Sequence, residues 1–151
     1  DRGITVWLKG NRVSRNQIMA IKEESVTDQK NSLTVCLDNI LRHAGITRNT
    51  EYDLAQGKTA IQILEENMTG VQVLDLSGCS LDAVLYYVNQ DIPVLAILED
   101  GEAVLVTGFN EFNVVIMEPS TGKLYKKGMN DATTWFAENG NHFISYMKIE
   151  N

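Results

Sequence analysis

The sequence predicts an α+β domain, with helices ahead of an antiparallel sheet. Three observations carry this. Amphipathic helical stripes lie in the part of the chain before Gln90, at Leu33–Ala44 and Leu81–Val88. After Gln90 the pattern becomes short apolar runs separated by brief polar turns, and strands joined by such turns must be antiparallel neighbours. The chain has 151 residues, 44% of them hydrophobic and 22% charged, which suits one compact core.

The elements follow in order. Ile4–Leu8 reads as a strand ended by Gly10, and Gln17–Val26 fits helix and strand periods equally poorly. Asn31-Ser32 offers an N-cap, because a short oxygen side chain there accepts from the free backbone N–H groups of a first helical turn. Leu33, Cys36, Leu37, Ile40, Leu41 and Ala44 then form one buried stripe, and Gly45 stops the helix. Residues 50–67 are more weakly helical and broken at Gly57; Ile61, Leu64 and Met68 give the later turns an apolar face. A short strand spans 71–76, and Ser80 caps a helix whose stripe is Leu81, Val84, Leu85 and Val88. Ile92–Leu98 is a continuous apolar strand, a pattern that expects burial on both faces. Strands at Ala103–Phe109, Val114–Met117 and Leu124–Lys127 follow, with turns at 99–101, 110–113 and 120–122. Asn130 is placed to cap a short helix carrying Trp135 and Phe136, and Phe143–Ile149 is the last strand.

Composition excludes several functions. Twenty acidic against 13 basic residues give a net charge of −7, which disfavours nucleic acid as a partner, since phosphate binding needs clustered Lys and Arg. The basic excess in residues 1–48 is scattered singly among apolar residues and reads as solvated surface. No run approaches the roughly 18 apolar residues of a membrane span, so no membrane insertion is expected in this segment. Two cysteines make neither a disulfide scaffold nor a four-cysteine zinc site, and no metal or cofactor is called for. The chain begins at Asp1 and enters an apolar run at once, so it reads as a piece of a longer protein with its targeting information elsewhere.

Candidate chemistry is sparse. Cys36 lies in the second turn of the first helix and faces the core, as a small buried hydrophobe does. His43 is seven residues on, about 10 Å of helix rise, too far for a hydrogen bond to Cys36. It is better placed to favour the helix C-terminus as a cap or a cation. Cys79, in Ser77-Gly78-Cys79-Ser80, precedes a helix N-terminus, where an exposed thiol has a lowered pKa. It reads as structural, with a reactive thiol or a disulfide to Cys36 as alternatives. His142 reads as a half-exposed edge position on the last strand. Glu99-Asp100-Gly101-Glu102 reads as a solvated hairpin tip, lacking the alternating oxygen ligands of a calcium loop. Ser120-Thr121-Gly122-Lys123 lies between strands and lacks the upstream glycine of a phosphate loop.

Several phrases, in order, resemble the papain-like peptidases that process bacteriocin precursors by cutting leader peptides after a double glycine. They are Leu41-Arg42-His43-Ala44-Gly45-Ile46, Asp91-Ile92-Pro93-Val94, Glu102-Ala103-Val104-Leu105-Val106-Thr107-Gly108-Phe109, Glu118-Pro119 with Gly122, and Trp135-Phe136 with Phe143-Ile144-Ser145-Tyr146. The resemblance covers residues 29–147. It implies a papain-like (cysteine proteinase) fold, N-terminal helices packed on a C-terminal antiparallel sheet. It also implies a domain over 29–151, with 1–28 an extension or the end of a preceding domain. The departures fall at the chemistry. The nucleophile's position falls at Ser32, the histidine's at Glu102 and the orienting aspartate's at Glu118; Gln29 stands nearest the oxyanion-hole glutamine, closer to Ser32 than the family spacing. A serine needs a strong base, and an ordinary carboxylate near pKa 4.3 is a poor one.

The expected function is therefore that of a catalytically inactive papain-like domain in a larger bacterial protein, secreted or at the cell surface. It would hold an extended peptide or serve a structural role. The alternative is an active cysteine peptidase or amidase with a rearranged site drawn from Cys36, Cys79 and His142.

Overall fold

The computed structural model describes Gln17–Ile18 and residues 31–149. The strand expected at Ile4–Leu8 and Gln29 lie outside the described residues. Five helices and seven strands follow in the order β1 (Gln17–Ile18), α1 (Ser32–His43), α2 (Glu51–Ala55), α3 (Ala60–Asn67), β2 (Val71–Asp75), α4 (Leu81–Val88), β3 (Val94–Ile97), β4 (Ala103–Phe109), β5 (Asn113–Glu118), β6 (Lys123–Gly128), α5 (Met129–Glu138) and β7 (His142–Lys148). Of the ambiguous Gln17–Val26 stretch, Gln17–Ile18 is strand.

The sheet is antiparallel throughout and ordered β2-β7-β3-β4-β5-β6, with β1 beside the far end of β4. After β1 and helices α1 to α3, the chain forms the edge strand β2, leaves for α4, and returns to build β3 to β6 as a meander. It then crosses back through α5 to insert β7 between β2 and β3. His142 opens β7 opposite Ile97, so it is an exposed residue at the end of an interior strand, not on a sheet edge. The β4–β5 register slips between Val106 and Gly108. On the other side of β4, β3 begins opposite Val106, and β1 pairs with Gly108 and Phe109 beyond it.

Helices cover both faces of the sheet. On one face α1 and α3 bury Cys36, Leu37, Ile40, Leu41, Ile63 and Leu64 against Leu95, Leu105, Met117 and Tyr146. On the other, α4 and α5 bury Leu81, Val84, Val88 and Phe136 against Val94, Ala96, Val104, Ile116 and Phe143. Neighbouring residues of β3 and β4 thus serve opposite layers, which is why Ile92–Leu98 and Ala103–Phe109 are apolar without alternation. The expected α+β layout holds, and the burial of Ile92–Leu98 on both faces that its pattern predicts is met by helices on each side of the sheet. A strand apolar on both faces needs a second helical layer, and α4 with α5 supplies it.

The helix ends explain their sequences. Asn31 Oδ1 accepts the Leu33 N–H at 2.7 Å and caps α1. At the other end Gly45, at φ 87°, donates to the Arg42 carbonyl, and Ile46 donates to that of Leu41. These two bonds satisfy carbonyls that the helix leaves unpaired, with glycine in the left-handed conformation it alone adopts without strain. Ser80 Oγ accepts from Ala83 and caps α4. Asn130 does not cap α5, contrary to expectation. Gly128 holds the cap position and the Phe112 carbonyl accepts the Met129 N–H at 2.7 Å, so backbone replaces a side-chain cap.

Candidate functional site

Because Asn31 caps α1, Ser32 is spared that role and turns toward the sheet. Its hydroxyl accepts the backbone N–H of Ala103 at 2.9 Å, joining the first turn of α1 to the first residue of β4. Ala103 is 1% exposed, and it and Leu105 face α1. Glu102 precedes the strand and is exposed, in the turn where its own N–H donates to Asp100 Oδ1. The sequence from Glu99 to Glu102 is the hairpin tip expected for it: Gly101 donates to the Leu98 carbonyl, and Leu98 to that of Glu102.

Cys36 lies one turn beyond Ser32 on the same helix face and is fully buried. Burial pushes its thiol far above the ordinary range, and the negative charge of Glu118 adds to the effect. Burial followed by the same Glu118 charge also raises the Tyr125 phenol. Glu118 ends β5, half-buried, one register step beyond the Leu105–Met117 pair. Ser32, Glu102 and Glu118 are therefore brought to one end of the α1–sheet seam from positions far apart in sequence. No hydrogen bond joins the three side chains among the described residues. The Ala103 contact was invisible to motif reading, because its polar group is backbone.

The remaining candidates lie elsewhere. Cys79 is half-buried and packs toward the α4–α5 layer, whereas Cys36 lies in the α1–α3 layer, and both thiols are free. The disulfide alternative is thus corrected: the sheet separates the two cysteines. By strand alternation His142 shares a face with Ile144, on the α1–α3 side, where it acts electrostatically on Asp75. The carboxyl of Asp75 is held low mainly by hydrogen bonds from the Ser77 hydroxyl and N–H, with His142 a minor contributor.

His43 does not cap its own helix, as expected from its place in the last turn. Backbone N–H groups of residues 44–46 already occupy the terminal carbonyls. Instead its Nε2 lies 3.0 Å from the Asp91 carbonyl oxygen and 3.6 Å from the Asp91 carboxylate, tying α1 to the turn after α4. Ser120–Lys123 forms a tight turn in which the Thr121 and Gly122 N–H groups donate to the Glu118 carbonyl.

Neither a family profile nor a curated protein matches this sequence. Among solved structures, a protein from Bacillus anthracis described as a candidate C39-like peptidase superposes with a TM-score of 0.71, over 89% of this chain and 98% of that one, at 14% identity. The chain has the fold of a C39-like peptidase. At that identity the likeness is one of architecture. In this chain α1 packs across the antiparallel sheet, and Ser32 and Ala103 meet on that seam.

Proposed function

We propose that this is a catalytically inactive relative of the C39-like peptidases, retained as a peptide-binding or structural module of a larger, secreted or surface-exposed bacterial protein. The observation that carries the reading is the Ser32 hydroxyl. It sits at the start of the helix that crosses the sheet, where the resemblance expects a thiol, and it accepts a structural hydrogen bond from Ala103. The neighbouring residue, where the resemblance expects an imidazole, is the exposed carboxylate of Glu102. A hydroxyl beside a carboxylate lacks both the acidity and the base that acyl transfer requires.

The rearranged alternative needs a thiol and an imidazole within hydrogen-bond reach. The buried Cys36 has its thiolate strongly disfavoured. Cys79 and His142 project toward different layers, which weighs against pairing them. The deciding experiment is labelling with a peptidyl electrophile directed at cysteine peptidases. The folded protein should remain unlabelled apart from slow, non-saturating reaction at Cys79. Stoichiometric labelling that a reversible peptide aldehyde blocks would overturn the proposal. The peptide-binding role is checked by titrating an extended double-glycine peptide: resonances of Ser32, Ala103 and Glu118 should shift together.

A further inference from the structure

A second feature lies at the other end of α1, about 16 Å from Ser32 along the helix axis. An open groove of about 540 Å³ is walled by the end of α1, the connection from α3 into β2, the turn at Asp91 and the end of β7. That volume falls in the range of small-molecule sites. Its polar side is built from Asp91, Tyr146 and Lys148, and its apolar side from Ile46, Met68 and Val71.

The polar side is arranged in a definite way. Asp91 adopts the left-handed conformation at φ 67°, and its carbonyl is engaged by His43 Nε2. Its carboxylate lies on the rim, 61% exposed, with Oδ2 3.6 Å from the same His43 nitrogen. Tyr146 lines the same groove as Asp91 and is largely buried; burial raises its phenol, and the charge of Asp91 raises it further. Lys148 follows Tyr146 by two residues on β7, so strand alternation sets it on the same face. The groove thus offers one anion and one cation beside an apolar wall, a pairing suited to a ligand that carries both charges and no net charge.

We propose that this groove binds a small zwitterion with an apolar side chain, an amino acid or a dipeptide. The ligand's ammonium group meets the Asp91 carboxylate and the Tyr146 oxygen, its carboxylate meets the Lys148 ammonium, and its side chain covers Met68 and Val71. The inference does not depend on the reading of the Ser32 end.

Titration followed by amide chemical shifts tests this with four probes: L-leucine, leucyl-leucine, N-acetyl-leucine and leucinamide. Leucine, leucyl-leucine or both should bind saturably and shift His43, Asp91 and Lys148, and whichever binds more tightly identifies the ligand size. Each singly blocked probe should bind about tenfold or more weakly, as loss of one charge-assisted contact implies. Asp91→Asn retains a residue tolerant of the left-handed conformation. It should weaken leucine about tenfold while leaving N-acetyl-leucine unchanged, and Lys148→Gln should show the converse pattern with leucinamide. Ser32→Ala should leave all four affinities unaltered. Absence of saturable binding by either zwitterion, equal affinity for blocked and free probes, or shifts confined to other surfaces would overturn the proposal.

Discussion

Removing one hydroxyl, in Ser32→Ala, isolates the contact on which the candidate site turns. In the folded protein Ser32 Oγ accepts the Ala103 N–H at 2.9 Å, and Ala103 is almost completely buried at the start of β4. The alanine variant leaves that N–H without its acceptor in a place where water has poor access. An orphaned buried donor costs about 1–3 kcal/mol. Helix propensity returns a few tenths, because alanine is the better helix former and Asn31, not Ser32, supplies the cap. A net loss of about 1–2 kcal/mol follows. For a domain of this size that corresponds to a fall of about 2–8 °C in melting temperature. Urea unfolding read by circular dichroism measures it, with Ser32→Thr as the control that keeps the hydroxyl. Ser32→Ala within 0.5 kcal/mol of the parent protein would refute the claim that this hydroxyl ties helix to sheet.

Three further outcomes follow from the packing. Cys36 is neutral when folded, and its pKa lies above the unfolded value of 9.0. Its contribution to stability is therefore complete below pH 9 and declines as rising pH ionises the thiol of the unfolded chain alone. Between pH 9 and 11 the parent protein should lose stability faster than Cys36→Ala, by up to about 1.4 kcal/mol per pH unit, in denaturation curves taken at each pH. Gly45→Ala should cost about 1–2 kcal/mol in thermal unfolding, wholly from the left-handed backbone, since a Cβ there meets nothing within 4 Å. Phe143→Ala should cost about 3–5 kcal/mol in the same assay, because the ring is fully buried and stacks edge-on to Phe136 with centroids 5.3 Å apart.

Much of the frame was legible because local signals and tertiary packing agree. The stripe from Leu33 to Leu41, the cap at Asn31 and the stop at Gly45 locate α1, and the turn chemistry separates β3 from β4, β5 and β6. The second helical layer was harder to read. The unbroken apolar runs of β3 and β4 required it, but nothing in the α4 stripe says which face of the sheet it covers. The cap of α5 was misread because its acceptor is the Phe112 carbonyl, and backbone groups leave no mark in a sequence. The same limit hid the Ala103 N–H that fills the Ser32 hydroxyl. His43 was assigned to its own helix end because sequence proximity suggested it. The left-handed Asp91, 48 residues on, offered a carbonyl that the helix terminus no longer could.

The Ser32–Ala103 bond also indicates what was exchanged if the site descends from an active one. A hydroxyl accepts an N–H bond well, whereas a thiol is a weak acceptor, so the same position cannot both hold β4 firmly and present a nucleophile. The exchange can be run backwards. Ser32→Cys alone should lose about 1 kcal/mol of stability and yield a thiol titrating no lower than the usual 8.5 or so, because the neighbouring Glu102 carboxylate disfavours a thiolate. Adding Glu102→His replaces that carboxylate with a base that becomes cationic, and should lower the apparent pKa of the thiol and speed its alkylation near neutral pH. Iodoacetamide rates across pH, with Cys79→Ala as background to remove the other accessible thiol, measure both steps. Identical pH profiles for the single and double variants would mean that residues 32 and 102 do not interact through their side chains, and the account of a lost Cys–His pair at these positions would fail.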